Sequence, residues 1–142
     1  METVTKKEFR RDVLDNTIQA QLQSMVVRLF QNDLNPTIDT VLGDFVEADF
    51  SGYTEKSAVT FGNSVFQEDN NAVSEAPSQT WVQTAATVTN LVYGYYVLET
   101  GGANYLFCAR FDEPQTFAGP GDFVTVIPKI GYPTMVPPVV SE

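Results

Sequence analysis

Tyr93-Gly-Tyr-Tyr-Val-Leu98, Glu99-Thr-Gly-Gly-Ala-Asn104 and Tyr105-Leu-Phe-Cys-Ala-Arg-Phe111 follow one another and decide the fold. Aromatic and β-branched residues suit a pleated, half-buried surface, and two such runs around a Gly-Gly pair predict an antiparallel hairpin. Thr100 and Ala103 leave the length of its loop open. Before the hairpin, Thr80-Trp-Val-Gln-Thr84 and residues Thr87 to Val92 read as strands. After it, Pro120-Gly-Asp122 reads as a turn and Phe123-Val-Thr-Val-Ile127 as a last full strand. Pro128 should end that strand or place it at a sheet edge, because proline has no amide to donate to a ladder.

The first half is less regular. Thr5-Lys-Lys-Glu8 fits a capping box, and Phe9, Val13, Ile18, Leu22 and Met25 form one apolar stripe with Leu14 beside it. This predicts a helix over 5–25. The β-rich run Val26-Val-Arg-Leu-Phe30 ends at the turn-forming Gln31-Asn-Asp-Leu-Asn-Pro36. Thr40-Val-Leu-Gly-Asp-Phe45 reads as a short helical turn, Glu47-Ala-Asp-Phe-Ser-Gly52 as a turn, and Lys56 to Phe61 as a strand stopped by Gly62-Asn63. Residues Gln67 to Ser78 read as a polar, acidic loop. The tail from Tyr132 to Val140 holds three prolines in nine residues and should be extended, yet it is apolar enough to lie on something.

Together these predict a mainly β, single-domain chain: an antiparallel β-sandwich or partly closed barrel with one N-terminal α-helix and an extended Pro-rich C-terminal tail. Residues 5–25 are the helix, 26–130 the β body and 131–142 the tail. No internal repeat or domain boundary interrupts the 142 residues, a length that buries roughly 68–70% of the unfolded surface.

Composition narrows the chemistry. The chain has no His and one Cys, which removes histidine acid–base catalysis, Ser-His-Asp and Cys-His nucleophiles, His- or Cys-ligated zinc and any intrachain disulfide. Cys108, in an apolar run, reads as a small buried hydrophobe. The net charge of −10 makes nucleic acid a poor partner, since a phosphate polymer would be repelled. No apolar run approaches the ~18–20 residues of a membrane-spanning helix. Charge is unevenly spread: residues 1–29 hold five bases against four acids, and residues 30–142 three bases against fourteen acids. Lys6, Lys7, Arg10 and Arg11 fall in the first two turns of the expected helix, the unfavourable end for its dipole, which points to a partner. Such a basic start on an acidic body fits packing between copies or against another charged surface.

Three other groups bear on function. Asp39, Asp44, Glu47 and Asp49 form the densest acidic cluster, but their spacing is not that of a Ca²⁺ loop, and solvated turn acids account for it. Paired acids would also be the starting point for a hydrolase. Gly101-Gly-Ala and Gly119-Pro-Gly match no phosphate-binding fingerprint, so no cofactor is expected. Alternation sends Tyr93 and Tyr95 to one face of their strand and Tyr96 to the other. One face must be core; the other is either core as well or an outer surface for protein contact, or for glycan stacking with Trp81.

Leu29-Phe-Gln-Asn-Asp33, Pro36-Thr37, Thr40-Val-Leu-Gly-Asp-Phe45 and Glu47-Ala-Asp-Phe-Ser-Gly-Tyr53 are followed by a Val-Thr-Phe strand. Then come Tyr93-Gly-Tyr-Tyr-Val97, the Gly-Gly turn, Leu106-Phe-Cys-Ala-Arg-Phe111 and Gly121-Asp-Phe-Val-Thr-Val-Ile-Pro-Lys129. In this order, over about residues 26–130, they resemble small virion-associated proteins of tailed bacteriophages. The resemblance implies a β-rich, non-enzymatic structural protein of the virion, made in the host bacterial cytoplasm. A capsid cement or decoration protein comes first, and a head–tail or tail component second. The implied partners are the major capsid protein or other virion proteins and further copies of the chain. The helix and tail are more elaborate than the short termini usual in that group, which leaves the position on the particle open. Contact residues are expected at both ends: Lys6, Lys7, Arg10 and Arg11 in the basic start, and Tyr132, Met135, Val136 and Val139 in the tail.

Overall fold

A computed structural model describes residues 23–62, 65–66, 72–86, 89–102, 104–132 and 139–141. The chain is mainly β, with ten strands among the described residues: β1 (Met25–Phe30), β2 (Lys56–Val59), β3 (Val65–Phe66), β4 (Ala72–Glu75), β5 (Gln79–Val82), β6 (Asn90–Leu98), β7 (Tyr105–Phe117), β8 (Phe123–Ile127), β9 (Lys129–Tyr132) and β10 (Val139–Ser141). They form three antiparallel sheets, β2-β1-β6-β7, β10-β8-β5 and β3-β4-β9. These do not close into a barrel, since β2 and β7 remain the outer strands of the largest sheet.

The expected hairpin is β6–β7. The Gly102 amide donates to the Glu99 carbonyl (2.8 Å) and the Glu99 amide to the Asn104 carbonyl (2.9 Å). Gly101 (φ 90°) and Gly102 (φ 75°) take left-handed conformations that a side chain would oppose. The run expected to stop near Val92 and restart at Tyr93 is one strand, and β7 continues past Phe111 to Phe117. It does so through a bulge: Val92 pairs with Gln115, but Gly94 pairs with Arg110. Pro114 sits in that bulge, where no ladder donor is needed.

Pro128 does more than end a strand. The chain leaves β8, passes Pro128 and continues as β9 in a different sheet. Opposite it, β4 and β5 are separated by Ala76–Ser78, which includes Pro77. The Ala76 amide donates to the Pro128 carbonyl across the break (2.9 Å). Two prolines that cannot donate thus divide one antiparallel run into two sheets. β4 lies inside the stretch expected to be a polar loop. Its Ala72, Val73 and Ser74 are buried, and it forms by pairing with Lys129–Tyr132, a partner more than fifty residues away.

Residues 5–22 of the expected helix lie outside the described residues. Its last three do not continue a helix: Ser24 has φ 56° and Met25 opens β1, fully buried and paired with Val59. Thr100 secures this entry by donating to the carbonyls of Gln23 (3.0 Å) and Ser24 (2.9 Å). Residues 133–138 of the tail also lie outside; the Val139–Ser141 backbone pairs with β8.

Two apolar clusters sit on opposite faces of the largest sheet. The larger joins Met25, Val27 and Leu29 of β1 to Tyr95 and Val97 of β6, and to Trp81, Val124 and Val126 of the β10-β8-β5 sheet. Phe50 and Phe117 stack within it at 4.1 Å. The smaller comprises Val26, Phe30, Phe45, Tyr96, Leu98 and Cys108. Because both faces of β1 and β6 are covered, these strands read as nearly continuous apolar runs rather than as an alternation.

Candidate functional site

The second cluster is roofed by residues 31–46. The Gln31 amide donates to the Val46 carbonyl (2.8 Å), and Asn32 bonds both ways across the neck, to the Asp44 carbonyl and from the Val46 amide (2.9 Å each). A 3-10 turn at Leu42–Asp44 is capped by the Asp44 carboxylate, which accepts the Val41 amide (2.9 Å). Thr40 Oγ1 accepts the Thr37 amide (2.8 Å). Arg110 of β7 then anchors the roof: it pairs with Asp33 (2.6 Å), donates to the Leu34 carbonyl (2.8 Å) and lies over the Tyr93 ring (5.1 Å). Beneath, Phe45 stacks on Tyr96 (4.3 Å) and meets Tyr105 (5.0 Å) and Phe30 (5.3 Å).

A roof held this firmly presents its outer side as a fixed surface. Ile38 there is 101% exposed and Val41 59% exposed, with Val46 also exposed. An open groove of about 420 Å³ runs between this roof and β7, lined by Pro36, Ile38, Tyr105, Leu106 and Cys108 among others. Asp39 and Asp44, close along the chain to Ile38 and Val41, are exposed with them, as is Asp49. Exposed apolar side chains and carboxylates thus occur along the same segment, a combination that suits an apolar and basic partner. Sequence reading treated 31–36 as a plain turn and missed Ile38. The one available signal, an isoleucine between Thr37 and Asp39 in a loop, recurs in many proteins without meaning.

The body's own cations are committed elsewhere. Arg28 pairs with Glu55 (2.9 Å) and Glu47 (3.6 Å), Lys129 with Glu75 (3.2 Å), and Lys56 lies over the Trp81 ring (5.5 Å). The acidic cluster of the sequence is likewise distributed over structural tasks: Asp44 caps a turn, and Glu47 accepts from the Tyr53 hydroxyl (2.8 Å). Among the described residues, no group of three or more His, Cys, Asp or Glu is placed to hold a metal ion.

The aromatics named as a stacking platform are interior. Trp81 and Tyr96 are 2% exposed and Tyr95 is fully buried, so a sugar or base cannot lie on them. The Trp81 indole donates to the Thr54 carbonyl (2.8 Å), and the Tyr95 hydroxyl accepts the Lys129 amide (3.2 Å). Nor do Tyr93 and Tyr95 share a face. Val92 and Tyr95 belong to the larger cluster while Tyr93 packs on the smaller one, because the bulge at Gly94 reverses the strand's alternation.

Burial of these phenols has a measurable consequence. Desolvation pushes the hydroxyls of Tyr53, Tyr95, Tyr96 and Tyr105 up, Tyr95 to about 12. A phenol ordinarily ionises near pH ~10, so each holds its proton more tightly in the folded chain than in the unfolded one. Stability from this source is complete below pH ~10 and is lost as pH rises through about 12, on the order of 2–3 kcal/mol for Tyr95 alone. In urea unfolding from pH 8 to 12 the tyrosine share of the fall in midpoint should set in above pH ~10.

Of the expected contact residues, Lys6, Lys7, Arg10, Arg11, Met135 and Val136 lie outside the described residues. The backbones of the other two are placed in different sheets: Tyr132 ends β9 opposite Ala72, and Val139 opens β10 opposite Ile127. The two described backbones thus do not share a sheet. Comparison with protein-family models, curated proteins and solved structures found no match to this chain.

Proposed function

We propose that this chain is a non-enzymatic structural protein of a bacteriophage particle, a cement or decoration protein forming a two-layer β-sandwich that binds the assembled capsid. The observation that carries the reading is the ordered series of motifs over residues 26–130 resembling small virion-associated proteins. Where those motifs fall in the fold supports it. Leu29–Asp33 and Thr40–Phe45 build the roof and its neck, Tyr93–Val97 and Leu106–Phe111 the central hairpin, and Gly121–Lys129 the strand that changes sheets. They are the parts that make a rigid body, as a module that acts by contact requires.

The partner is the major capsid protein or another virion protein. The exposed segment with Ile38, Val41 and Val46 supplies one contact, and the basic start and the tail supply others. Purified full-length chain is mixed with shells lacking it and sedimented. Reversing the charges at Lys6, Lys7, Arg10 and Arg11 to Glu, or placing Asp at Met135 and Val136, should each weaken co-sedimentation by about tenfold or more. The β body should keep its near-ultraviolet spectrum. Full binding by both variants would overturn the role given to the termini, and co-sedimentation with tails instead of shells would move the protein to the tail.

A further inference from the structure

The open groove between the roof and β7 is built to receive chain rather than a small molecule. Phe107 and Cys108 both line it, yet Phe107 belongs to the larger apolar cluster and Cys108 to the smaller. Neighbouring residues of a strand face opposite sides, so the groove follows the outer edge of β7 rather than one of its faces. Among the described residues no strand pairs with that edge, and its free main-chain groups can be met by another stretch of polypeptide. Pro36 and the fully exposed Ile38 line the roof side, and the exposed carboxylate of Asp39 follows directly in the chain.

We infer that this groove is the docking site of residues 1–22 of the same chain, which bring apolar side chains (Phe9, Val13, Ile18 and Leu22) together with four bases. The place where the described chain begins selects this occupant. Val26 and Tyr105 are both register partners of Leu98, so they lie two strand spacings apart, about 10 Å. The Gln23 carbonyl is held by Thr100 (3.0 Å), in the hairpin loop that leads into Tyr105. The segment therefore leaves the body beside one end of the groove, and even as a helix 22 residues span about 33 Å, enough to follow it. Charge selects the same occupant. Residues 30–142 set fourteen acids against three bases, and those three are engaged: Arg110 with Asp33, Lys129 with Glu75 and Lys56 over Trp81. Lys6, Lys7, Arg10 and Arg11 are half of the chain's eight bases, with Glu8 the one acid among them. Tethering decides between this segment and a foreign peptide of the same chemistry. A segment fastened about 10 Å from its site is present there at an effective concentration in the millimolar range, so a contact too weak to hold a free partner still fills the groove. The inference concerns the free chain and does not rest on the proposed particle role.

Amide hydrogen exchange of the full-length chain, read by mass spectrometry, tests it. Amides of residues 1–22 should exchange at least about tenfold more slowly than in a free peptide of the same 22 residues. Ile38→Lys opposes both the apolar contact and the bases, and should return them to the peptide's rate. Because Ile38 is fully exposed, the near-ultraviolet spectrum of the β body should not change. Exchange as fast as in the peptide, or protection indifferent to Ile38→Lys, overturns the inference. A disulfide trap identifies whose segment is docked. With Cys108→Ala as background and Ile38→Cys in the groove, a second cysteine is placed in turn at Phe9, Val13 and Ile18. At least one should close a disulfide within a single chain on mild oxidation, at a rate independent of protein concentration and about tenfold or more above that to a cysteine at Val82. Disulfides between chains would assign the groove to the segment of a second copy and overturn the inference, as would capture from none of the three positions.

Discussion

Gly94→Ala should cost about 4 kcal/mol or more, enough to leave most of the chain unfolded. A Cβ on Gly94 would lie 2.2 Å from the Ala109 carbonyl oxygen and 2.7 Å from two carbons of the Phe30 ring. Neither neighbour can yield. Ala109 is held in the β6–β7 ladder opposite Tyr95, so moving its carbonyl breaks the central hairpin. Phe30 is fully buried, with Phe45 at 5.3 Å and Tyr96 at 6.4 Å, so its ring has nowhere to turn. Close packing turns one methyl group into backbone strain. Gly43→Ala is the matched control, because a Cβ there meets nothing within 4 Å. Urea unfolding followed by Trp81 fluorescence should place Gly43→Ala within about 1 kcal/mol of the parent chain. A Gly94→Ala midpoint equally close to the parent would contradict this packing.

Phe45→Ala should cost about 3–5 kcal/mol, the usual range for removing a buried phenylalanine. The ring is 8% exposed and is the roof's main contribution to the second cluster, stacked on Tyr96 and edge-on to Phe30. The loss should be local before it is global, since Trp81 and Tyr95 belong to the larger cluster and Phe45 to the smaller. Cys108 reports the difference. It is 7% exposed, and burial pushes its thiol up, which keeps the reactive thiolate scarce. In Phe45→Ala the thiol should react with an aromatic disulfide reagent at least about tenfold faster under conditions where the chain stays folded. Ile38→Ala, on the exposed side of the same roof, should change neither stability nor thiol reactivity.

How much of this was legible beforehand depends on whether the governing interaction was local. The hairpin around Gly101-Gly102, the turn at Gly119–Asp122 and the strand Phe123–Ile127 are local in origin, and reading turn chemistry together with β-branched runs found all three. β4 could not be found that way, because Ala72-Val-Ser-Glu75 is too short and plain to be a strand without Lys129–Tyr132 beside it. The facing of Tyr93 depended on a bulge whose extra residues lie on the partner strand, so alternation counted along β6 alone gave the wrong face. Pro128 was recognised as a stop, yet its role as a change of sheet required Pro77 opposite. The surface around Ile38 was illegible for a related reason. A loop residue becomes a feature only when Arg110, Asn32 and Phe45 hold the loop still, and those three are distant in sequence.

The missing histidines take on a clearer meaning in this setting. The described carboxylates with assigned partners cap turns, accept from a hydroxyl or an asparagine amide, or pair with the few body cations, and the exposed apolar groups include Ile38, Val41, Val82 and Phe123.

The central claim, that the chain works as part of a phage particle, is tested most directly by its position in a density gradient. A lysate from cells producing both the chain and phage is banded, and the chain is quantified against the major capsid protein in each fraction. The account predicts that the chain bands with the particles at a fixed ratio to the capsid protein across independent preparations. Finding it wholly in the free-protein fractions, with particle bands devoid of it, would contradict the account.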